Sequence, residues 1–325
     1  MDLERAVPVV KAAMMSEEFQ EPSANPDRAI QALERAVACA ETGVADRPVV
    51  LTTKEDMSAL APLDRRRLLD RVILGTHADE GLDSLLATGV LGVLLPEVKA
   101  MVGFGDGEWR HKDVWKHTKQ VVTQSAGKLE VRYAALFHDI GKVKTRSISA
   151  SGEVHFFGHA EVGARMFERM ERREQLFAAD ESLRAEVHFL VLHHLRASQY
   201  DGSWTDSAVR RFTREIGPYL DDLLCLSQAD ITTKRPEKKR RGISMIHQLS
   251  ERINYLVEQD SYEPPLPKGV GDALMRAFGL PPSRKIGEVK RALEAAVEAG
   301  ELEGYQESEY YVAFVSEHRA RFSLE

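Results

Sequence analysis

Apolar residues recur at three- and four-residue intervals along most of this chain, and strict alternation of apolar and polar positions is almost absent. This spacing follows the 3.6-residue turn of an α-helix and not the two-residue period of a strand. It predicts helices that include residues 26–42, 159–173 and 206–216. The first of them begins after Asn25 and ends at Gly43, since these residue types are common start and stop signals. We therefore expect an all-α fold.

Breaks in the helical pattern predict three segments. Residues 1–53 are expected to form an N-terminal helical extension and a linker. Residues 54–261 are expected to form the main helical bundle, and residues 262–325 a C-terminal helical subdomain with a tail. A proline-rich stretch marks the second boundary, and the glycines in residues 103–107 predict a loop. Residues 147–157 predict an irregular segment or a short hairpin.

Composition adds limits on the class of protein. A formal net charge of -7 argues against a protein that coats nucleic acid along its whole surface, but it leaves room for a local basic patch. The two cysteines lack C-x-x-C spacing and exclude a disulfide framework. The N-terminus lacks a signal-peptide pattern, and no apolar stretch is long enough to span a membrane. We expect a soluble cytoplasmic protein with no membrane partner, and the sequence leaves its oligomeric state open.

Candidate chemistry centres on the stretch VRYAALFHDIGKVK, where an apolar helical run ends in His138 and Asp139. Imidazole nitrogens and carboxylate oxygens together are ligands of transition metals. Further ligand-type residues lie in or beside predicted apolar helices: His117, His159, His193, His194 and Asp230. Each of them alone is compatible with a hydrogen-bonded core residue, a surface residue or a helix cap. Their joint occurrence on five predicted helices favours one metal site inside a bundle.

The order of His117, His138-Asp139 and Asp230 resembles the H…HD…D signature of the HD-domain metal-dependent phosphohydrolases. The stretches HKDVWKHT and LFHDIGK resemble specific forms of its first two motifs. More narrowly, the region from about residue 60 to about residue 300 is similar to the C-terminal part of CCA-adding tRNA nucleotidyltransferases and bacterial poly(A) polymerases. LLATGVLGVLLPEV, FFGHAEVGA, LVLHHLR and QADIT are among the stretches that carry this similarity. The resemblance implies an HD-domain helical bundle with helical extensions on both sides.

The resemblance also implies seven metal ligands in two groups. The first ion would be held by His117, His138, Asp139 and Asp230. The second would be held by His159, His193 and His194, with Asp139 shared. We therefore expect one or two divalent transition-metal ions, namely Mn, Fe, Co or Ni, with Zn and Mg as alternatives. Two adjacent ions can lower the pKa of a bridging hydroxide and clamp a phosphoryl group.

The resemblance assigns catalytic roles to Asp139 and Lys142. A lysine that faces the phosphate would stabilise the charge that develops on the phosphoryl oxygens, although a solvated lysine at a helix end is the alternative. His111 at the glycine loop and Arg196 after the histidine pair are further candidates for binding the same phosphate.

A run of six basic residues and one acid over residues 234–241 begins four residues after Asp230. It precedes a predicted helix over residues 245–257. Such a run is compatible either with a solvated surface or with contacts to a phosphate backbone. The candidate nucleic-acid contacts in this run and in the helix over residues 206–216 are Arg210, Arg211, Arg214, Lys238, Lys239, Arg240 and Arg241.

The function implied by the resemblance is metal-dependent phosphohydrolysis of nucleotides or RNA 3′ ends. The activity would be that of a phosphomonoesterase, a 2′,3′-cyclic phosphodiesterase or both. One departure concerns the nucleotidyltransferase head of the tRNA-handling relatives, which carries a D-x-D motif that this sequence lacks. We therefore expect a free-standing HD module without polymerase activity. The alternatives are an RNA- or tRNA-binding HD module and a subunit of a split tRNA nucleotidyltransferase.

Overall fold

The computed structural model describes residues 24–105, 113–261 and 264–324. Within these ranges the regular structure is helical apart from one two-stranded hairpin, which confirms the predicted all-α class. In the same ranges, no helix combines the length and the apolar character that are needed to cross a membrane. His111, a candidate for binding phosphate, lies outside the described residues.

The first part of the bundle consists of a long helix and several shorter ones. The elements are α1 (Pro26–Thr42), α2 (Lys54–Ser58), α3 (Pro62–Leu74), α4 (Ala78–Ala87), α5 (Val90–Leu94) and α6 (Pro96–Lys99). The predicted ends of α1 are confirmed. The backbone N–H of Asp27 donates to the side chain of Asn25, and Gly43 has a φ of 73° that favours glycine. Helix α1 packs against α3 and α4.

The second part contains the longer helices and the hairpin. Its helices are α7 (Val114–Gln124), α8 (Leu129–Phe137), α9 (Lys142–Thr145), α10 (His159–Glu174), α11 (Glu181–His193), α12 (Asp206–Ile216), α13 (Leu220–Ala229) and α14 (Pro236–Ser261). The hairpin joins β1 (Ser147–Ile148) to β2 (Val154–His155) and pairs Ser147 with His155 in antiparallel register. It lies in the segment for which the sequence left an irregular path or a hairpin open.

Helix α8 is the central helix of this bundle. Every residue from Val131 to Phe137 is buried, and the helix packs against α3, α7, α11 and α13. Removing so much apolar surface from water fixes α8 in the interior. The residues that follow its last turn, His138 and Asp139, are therefore placed inside the protein, where each is only 1% exposed.

The prediction for the basic run was wrong in one respect. The sequence separated residues 234–241 from a helix over residues 245–257, whereas the structure has one continuous helix from Pro236 to Ser261. Proline fits the first turn of a helix, and lysine, arginine and glutamate are good helix formers. The charged residues therefore extend the helix, although they contribute no apolar period by which it could be recognised.

The described residues divide into two compact units, which lie within Met1–Ile253 and Asn254–Glu325. In the second unit, α15 (Val270–Phe278) packs against α16 (Arg284–Glu298) and α17 (Ser308–Glu317). Tyr311 is fully buried in the core of this unit, and its hydroxyl group lies 3.0 Å from the backbone carbonyl oxygen of Pro265. Helix α17 lies in the part for which the sequence predicted only a tail. The division of the chain into residues 1–53, 54–261 and 262–325 stays a prediction.

Candidate metal centre

Three helices of the bundle end at the same place, and a ligand-type residue follows each of them. His138 and Asp139 follow α8, His194 follows α11, and Asp230 follows α13. The C-terminal end of a helix carries partial negative charge on its free carbonyl groups. Three such ends, together with two carboxylates, favour a cation among these side chains.

The first cluster consists of His117, His138, Asp139 and Asp230. His117, in the first turn of α7, has its Nε2 atom 2.9 Å from Asp230 Oδ1, 3.2 Å from His138 Nε2 and 3.5 Å from Asp139 Oδ2. His138 Nε2 lies 3.3 Å from Asp139 Oδ2 and 3.5 Å from Asp230 Oδ1. Two nitrogens and two oxygens thus surround one small space, and this donor set suits a first-row transition metal.

The second cluster consists of Asp139, His159 and His194, whose donor atoms lie within 4.8 Å of one another. His159 Nε2 lies 3.2 Å from His194 Nε2 and 3.6 Å from Asp139 Oδ1. Asp139 therefore directs Oδ2 to the first cluster and Oδ1 to the second. Oδ1 is buried and has no hydrogen-bond partner in the described structure. A buried carboxylate oxygen without a partner is costly, so this atom fits a metal ligand.

The rings of three histidines are held by backbone carbonyl groups. Nδ1 of His138, His159 and His194 lies 2.8 Å from the carbonyl oxygen of the residue three positions earlier. A carbonyl oxygen can only accept, so Nδ1 donates, and whenever the ring is neutral its Nε2 atom carries a lone pair. The Nε2 atoms of His159 and His194 are 3.2 Å apart, so in the neutral rings their lone pairs would point into the same space. A metal ion or a proton between them would remove this repulsion.

His117 is held differently, because its Nδ1 atom lies 2.8 Å from the hydroxyl oxygen of Thr232. Thr232 follows Asp230 by two residues, so the segment after α13 supplies both a ligand-type carboxylate and the partner of another ligand-type ring. Sequence reasoning missed Thr232. Its only signal was its position beside Asp230 in the stretch QADITT.

Burial keeps the two histidines of the second cluster neutral at neutral pH. It lowers the pKa of His194 to about 4, and it also lowers the pKa of His159. His138 behaves in the opposite way. Burial acts to lower its pKa, but the charge of Asp139 and hydrogen bonds with Asp139 and Asp230 raise it to about 10. The carboxylates of the first cluster thus require a positive charge among the ring nitrogens.

The two carboxylates remain ionised in spite of their surroundings. Burial acts to raise the pKa of Asp139 and of Asp230. The charge of His138 and its hydrogen bond nevertheless hold the pKa of Asp139 well below its usual range, and hydrogen bonds with His117 and His138 do the same for Asp230. Both side chains can therefore act as anionic ligands at neutral pH.

A close approach of two backbone segments positions His159 within the second cluster. A Cβ atom added to Gly141 would overlap the carbonyl oxygen of His159 and lie 2.7 Å from the backbone nitrogen of Gly163. Only glycine allows the turn after Asp139 to lie against the first turns of α10. This contact brings His159 to the carboxylate that both clusters share.

Lys142 lies on the solvent side of the shared carboxylate. Its Nζ atom is 2.6 Å from Asp139 Oδ2, and its side chain is 23% exposed, whereas that of Asp139 is 1% exposed. The ammonium group also lies 5.8 Å from the centre of the Phe156 ring. A positive charge is thus held between solvent and the buried donor atoms.

Two of the predicted site residues are engaged elsewhere. The ring of His193 lies against that of Phe189 with 4.3 Å between their centres, and His193 belongs to neither cluster. Arg196 Nη2 lies 2.6 Å from Glu215 Oε2. The structure therefore brings together six of the seven predicted metal ligands and leaves His193 outside.

The predicted nucleic-acid contacts lie on α12 and on the first turns of α14, and they are not part of the clusters. Arg211 is largely exposed and lies 3.9 Å from Glu215. Lys238, Arg240 and Arg241 are also exposed, as is Arg214, whereas Lys239 and Arg210 are half-buried. The predicted roles of all these residues stay predictions.

Comparison with known proteins relates this region to a protein family. Residues 114–234, which contain all six clustered residues, match the family model of the HD domain. These residues form an HD domain. The family and the helical fold inferred from the sequence are thereby confirmed for this part of the chain.

The relatives that align with the HD domain and with neighbouring parts of the chain include tRNA nucleotidyltransferases. The chain is 32% identical over 251 residues to the A-adding tRNA nucleotidyltransferase of Deinococcus radiodurans, an alignment that covers 75% of this chain and 56% of the relative. It is 30% identical over 254 residues to the CC-adding tRNA nucleotidyltransferase of Thermus thermophilus, an alignment that covers 76% of this chain and 55% of the relative. A shorter alignment over 95 residues is 36% identical to the multifunctional CCA protein of Variovorax paradoxus. It covers 28% of this chain and 23% of the relative. The chain thus spans just over half the length of the first two relatives.

Proposed function

We propose that this protein is a metal-dependent phosphohydrolase that acts on nucleotides or RNA 3′ ends. The observation that carries the proposal is the pair of ligand clusters that share Asp139. Two divalent ions bridged by one carboxylate are suited to displacement at phosphorus. The tRNA nucleotidyltransferases among the relatives support a substrate related to an RNA end.

In this proposal the first cluster would hold one ion and the second cluster would hold the other, and Asp139 would be a ligand of both. When bound, the ions lower the pKa of water and neutralise charge on the phosphoryl oxygens. Lys142 contributes a further cation on the solvent side of Asp139, where it can bind a phosphoryl oxygen. Thr232 holds the ring of His117 in the orientation that directs Nε2 towards the other donor atoms of the first cluster, where it would be a ligand of the ion. The family-based assignment of His193 to the second ion has no support from the geometry.

The test is to count metal ions per chain in the purified protein and to assay it with Mn, Ni and Co. The substrates are 3′-AMP, as a phosphomonoester, and 2′,3′-cyclic AMP. We expect turnover of at least one substrate, and we expect Asp139→Ala to abolish both metal binding and turnover. Asp46→Ala, at an exposed position, is the matched control and should leave both unchanged. Absence of metal and turnover in the wild-type protein would contradict the proposal, as would turnover that survives Asp139→Ala.

The alternative function is that of an RNA- or tRNA-binding module or a subunit of a split tRNA nucleotidyltransferase. The start of α14 favours RNA contact. Lys238 and Lys239 lie in its first turns, where the positive end of the helix dipole disfavours cations. Basic residues at such a position are suited to binding phosphate groups, and binding at this surface is also compatible with hydrolysis of an RNA end.

RNA contact can be tested by measuring the salt dependence of binding to a single-stranded RNA. Replacing Lys238, Lys239, Arg240 and Arg241 by glutamine should reduce the slope by about 0.7 for each phosphate contact that is lost. A control with the same change in charge replaces Arg284, Lys285, Lys290 and Arg291 on α16, and it should leave the slope unchanged. An equal slope in the wild-type protein and the α14 variant would remove this surface from the RNA interface.

A further inference from the structure

The ring of Phe156 lies beside Lys142, and the ring of Phe104 lies next to that of Phe156; neither ring takes part in ligation. The ring of Phe156 is 5.8 Å from Lys142 Nζ, and its centre is 6.3 Å from that of Phe104 at an angle of 58°. Both side chains are only half-buried. The backbone of Phe156 is also fixed to the centre, because its carbonyl oxygen accepts the hydrogen bond from Nδ1 of His159.

We propose, on the basis of the proposed function, that Phe104 and Phe156 bind the base of a nucleotide whose phosphate lies beside Lys142. The distances support this assignment. Lys142 Nζ lies 2.6 Å from Asp139 Oδ2 and 5.8 Å from the centre of the Phe156 ring. The shared carboxylate, the cation and the aromatic surface therefore lie within the span of a single nucleotide.

The chemistry of the pair selects the class of ligand. A partly exposed aromatic surface beside a fixed cation suits a ligand that carries both a planar ring system and a phosphate. Stacking between a base and an aromatic side chain tolerates any base, since every base has a π-face. The pair would therefore distinguish nucleotides from base-free phosphate esters, with little preference among the four bases.

The neighbouring residue in the chain provides a matched control. Phe157 is 78% exposed, and its ring stacks on that of His155 with 4.9 Å between centres and 13° between planes. Phe157 thus belongs to a different aromatic pair, although it is adjacent in sequence and more exposed than Phe156. A general effect of losing an aromatic side chain from this segment should affect both positions equally.

The kinetic test compares Phe156→Leu, Phe104→Leu and Phe157→Leu in the Mn-loaded enzyme, since leucine keeps the apolar packing. The substrates are 3′-AMP, 2′,3′-cyclic AMP and the base-free ester glycerol 2-phosphate. We expect the first two variants to raise KM for the nucleotides by about 5- to 150-fold, the range for loss of one stacked base. KM for glycerol 2-phosphate and kcat for all substrates should stay within about twofold of wild type, and Phe157→Leu should have no effect. Equal losses on nucleotide and base-free substrates would overturn the proposal and make Phe156 a positioning residue for Lys142.

A binding measurement separates this proposal from the proposed function. Equilibrium dialysis of 3′-AMP in the presence of EDTA measures binding without turnover. Weaker binding to Phe156→Leu than to the wild-type protein supports the base site, even if no substrate is hydrolysed and the phosphohydrolase proposal fails. Equal binding together with equal nucleotide KM values overturns the base site, while turnover of any of the three esters by the wild-type enzyme still supports phosphohydrolysis.

Discussion

The hydroxyl oxygen of Thr232 lies 2.8 Å from Nδ1 of His117, whereas the other three clustered histidines rely on backbone carbonyl groups. A substitution cannot remove a backbone carbonyl, but it can remove a hydroxyl group. Among the Nδ1 contacts of these four rings, that of His117 is therefore the one made to a side chain.

Thr232→Val should weaken metal binding at the first cluster, because valine keeps the shape of threonine but cannot accept from Nδ1. Loss of such a partner of a ligand histidine typically costs about 10- to 100-fold in metal affinity. Competition with a chelator of known affinity measures the change. Thr213→Val is the control, since the Thr213 hydroxyl donates to the carbonyl oxygen of Val209 in its own helix. An affinity equal to that of the wild-type protein would show that the contact does not orient the ligand.

Metal binding at neutral pH should release about one proton from His138. Asp139 and Asp230 raise the pKa of His138 to about 10, so the metal-free protein holds a proton where an ion would bind. Titration calorimetry in two buffers with different ionisation enthalpies measures the release. A heat of binding that is independent of the buffer would contradict this expectation.

The same proton affects the stability of the metal-free protein. The pKa of His138 is higher in the folded than in the unfolded chain, so its stabilising contribution is complete below about pH 6.5 and is lost as pH rises through about 10. Urea unfolding in EDTA should therefore show decreasing stability across this range. Addition of metal should reduce the dependence, since the ion then replaces the proton.

Gly141→Ala should destabilise the fold and move His159 away from Asp139. The added Cβ atom would overlap the backbone oxygen of His159, which cannot move aside as a flexible side chain could. We expect a loss on the order of 3 kcal/mol in the free energy of unfolding, together with weaker metal binding. Gly127→Ala is the control, because a Cβ atom at Gly127 meets no atom of the described residues within 4 Å. Equal urea midpoints for the two variants would disprove the close approach.

A group of three carboxylates, separate from the two ligand clusters, predicts a different pH dependence of stability. Glu130, Glu186 and Asp222 place donor oxygens within 4.8 Å of one another. Burial, a hydrogen bond with Asp222 and the charges of Asp222 and Glu130 raise the pKa of Glu186 to about 7, although Lys128 acts in the opposite direction. A raised carboxyl pKa contributes stability below about pH 4.5 that is lost as pH rises through about 7.

Glu186→Gln should therefore flatten the pH dependence of thermal stability between about pH 5 and pH 8 and raise the Tm at the upper end above that of the wild-type protein. Thermal unfolding followed by circular dichroism across this range measures the effect. Glu181→Gln, at an exposed position of the same helix, should retain the wild-type slope. Parallel curves for the wild-type protein and Glu186→Gln would show that the carboxyl group does not retain its proton.

Helical spacing in the sequence could have shown that His194, and not His193, lies on the buried face of its helix. Val187, Leu190 and Val191 are all buried, and they continue at intervals of three and four residues to His194. His193 is one position off this stripe, which turns its side chain by about 100°. The sequence identified the histidine pair, but treating the pair as a unit hid the fact that only one of its members faces the interior.

Other features of the site depend on contacts between distant segments and leave little trace in the sequence. The contact between Thr232 and His117 joins residues 115 positions apart. The requirement for glycine at position 141 comes from the backbone of α10, which approaches it only in the folded state. The helical class and the six clustered residues were accessible because they follow from local period and residue type. The supporting contacts arise from packing.

The backbone carbonyl groups that hold His138, His159 and His194 bear on the order in which the centre is assembled. Each belongs to the residue three positions before its histidine, so each ring is oriented as soon as its own segment has folded. The rings do not need an ion to find their orientation. Under the proposed function, the orientation of these three rings is therefore set by folding alone, and metal binding need not be coupled to the folding of the centre.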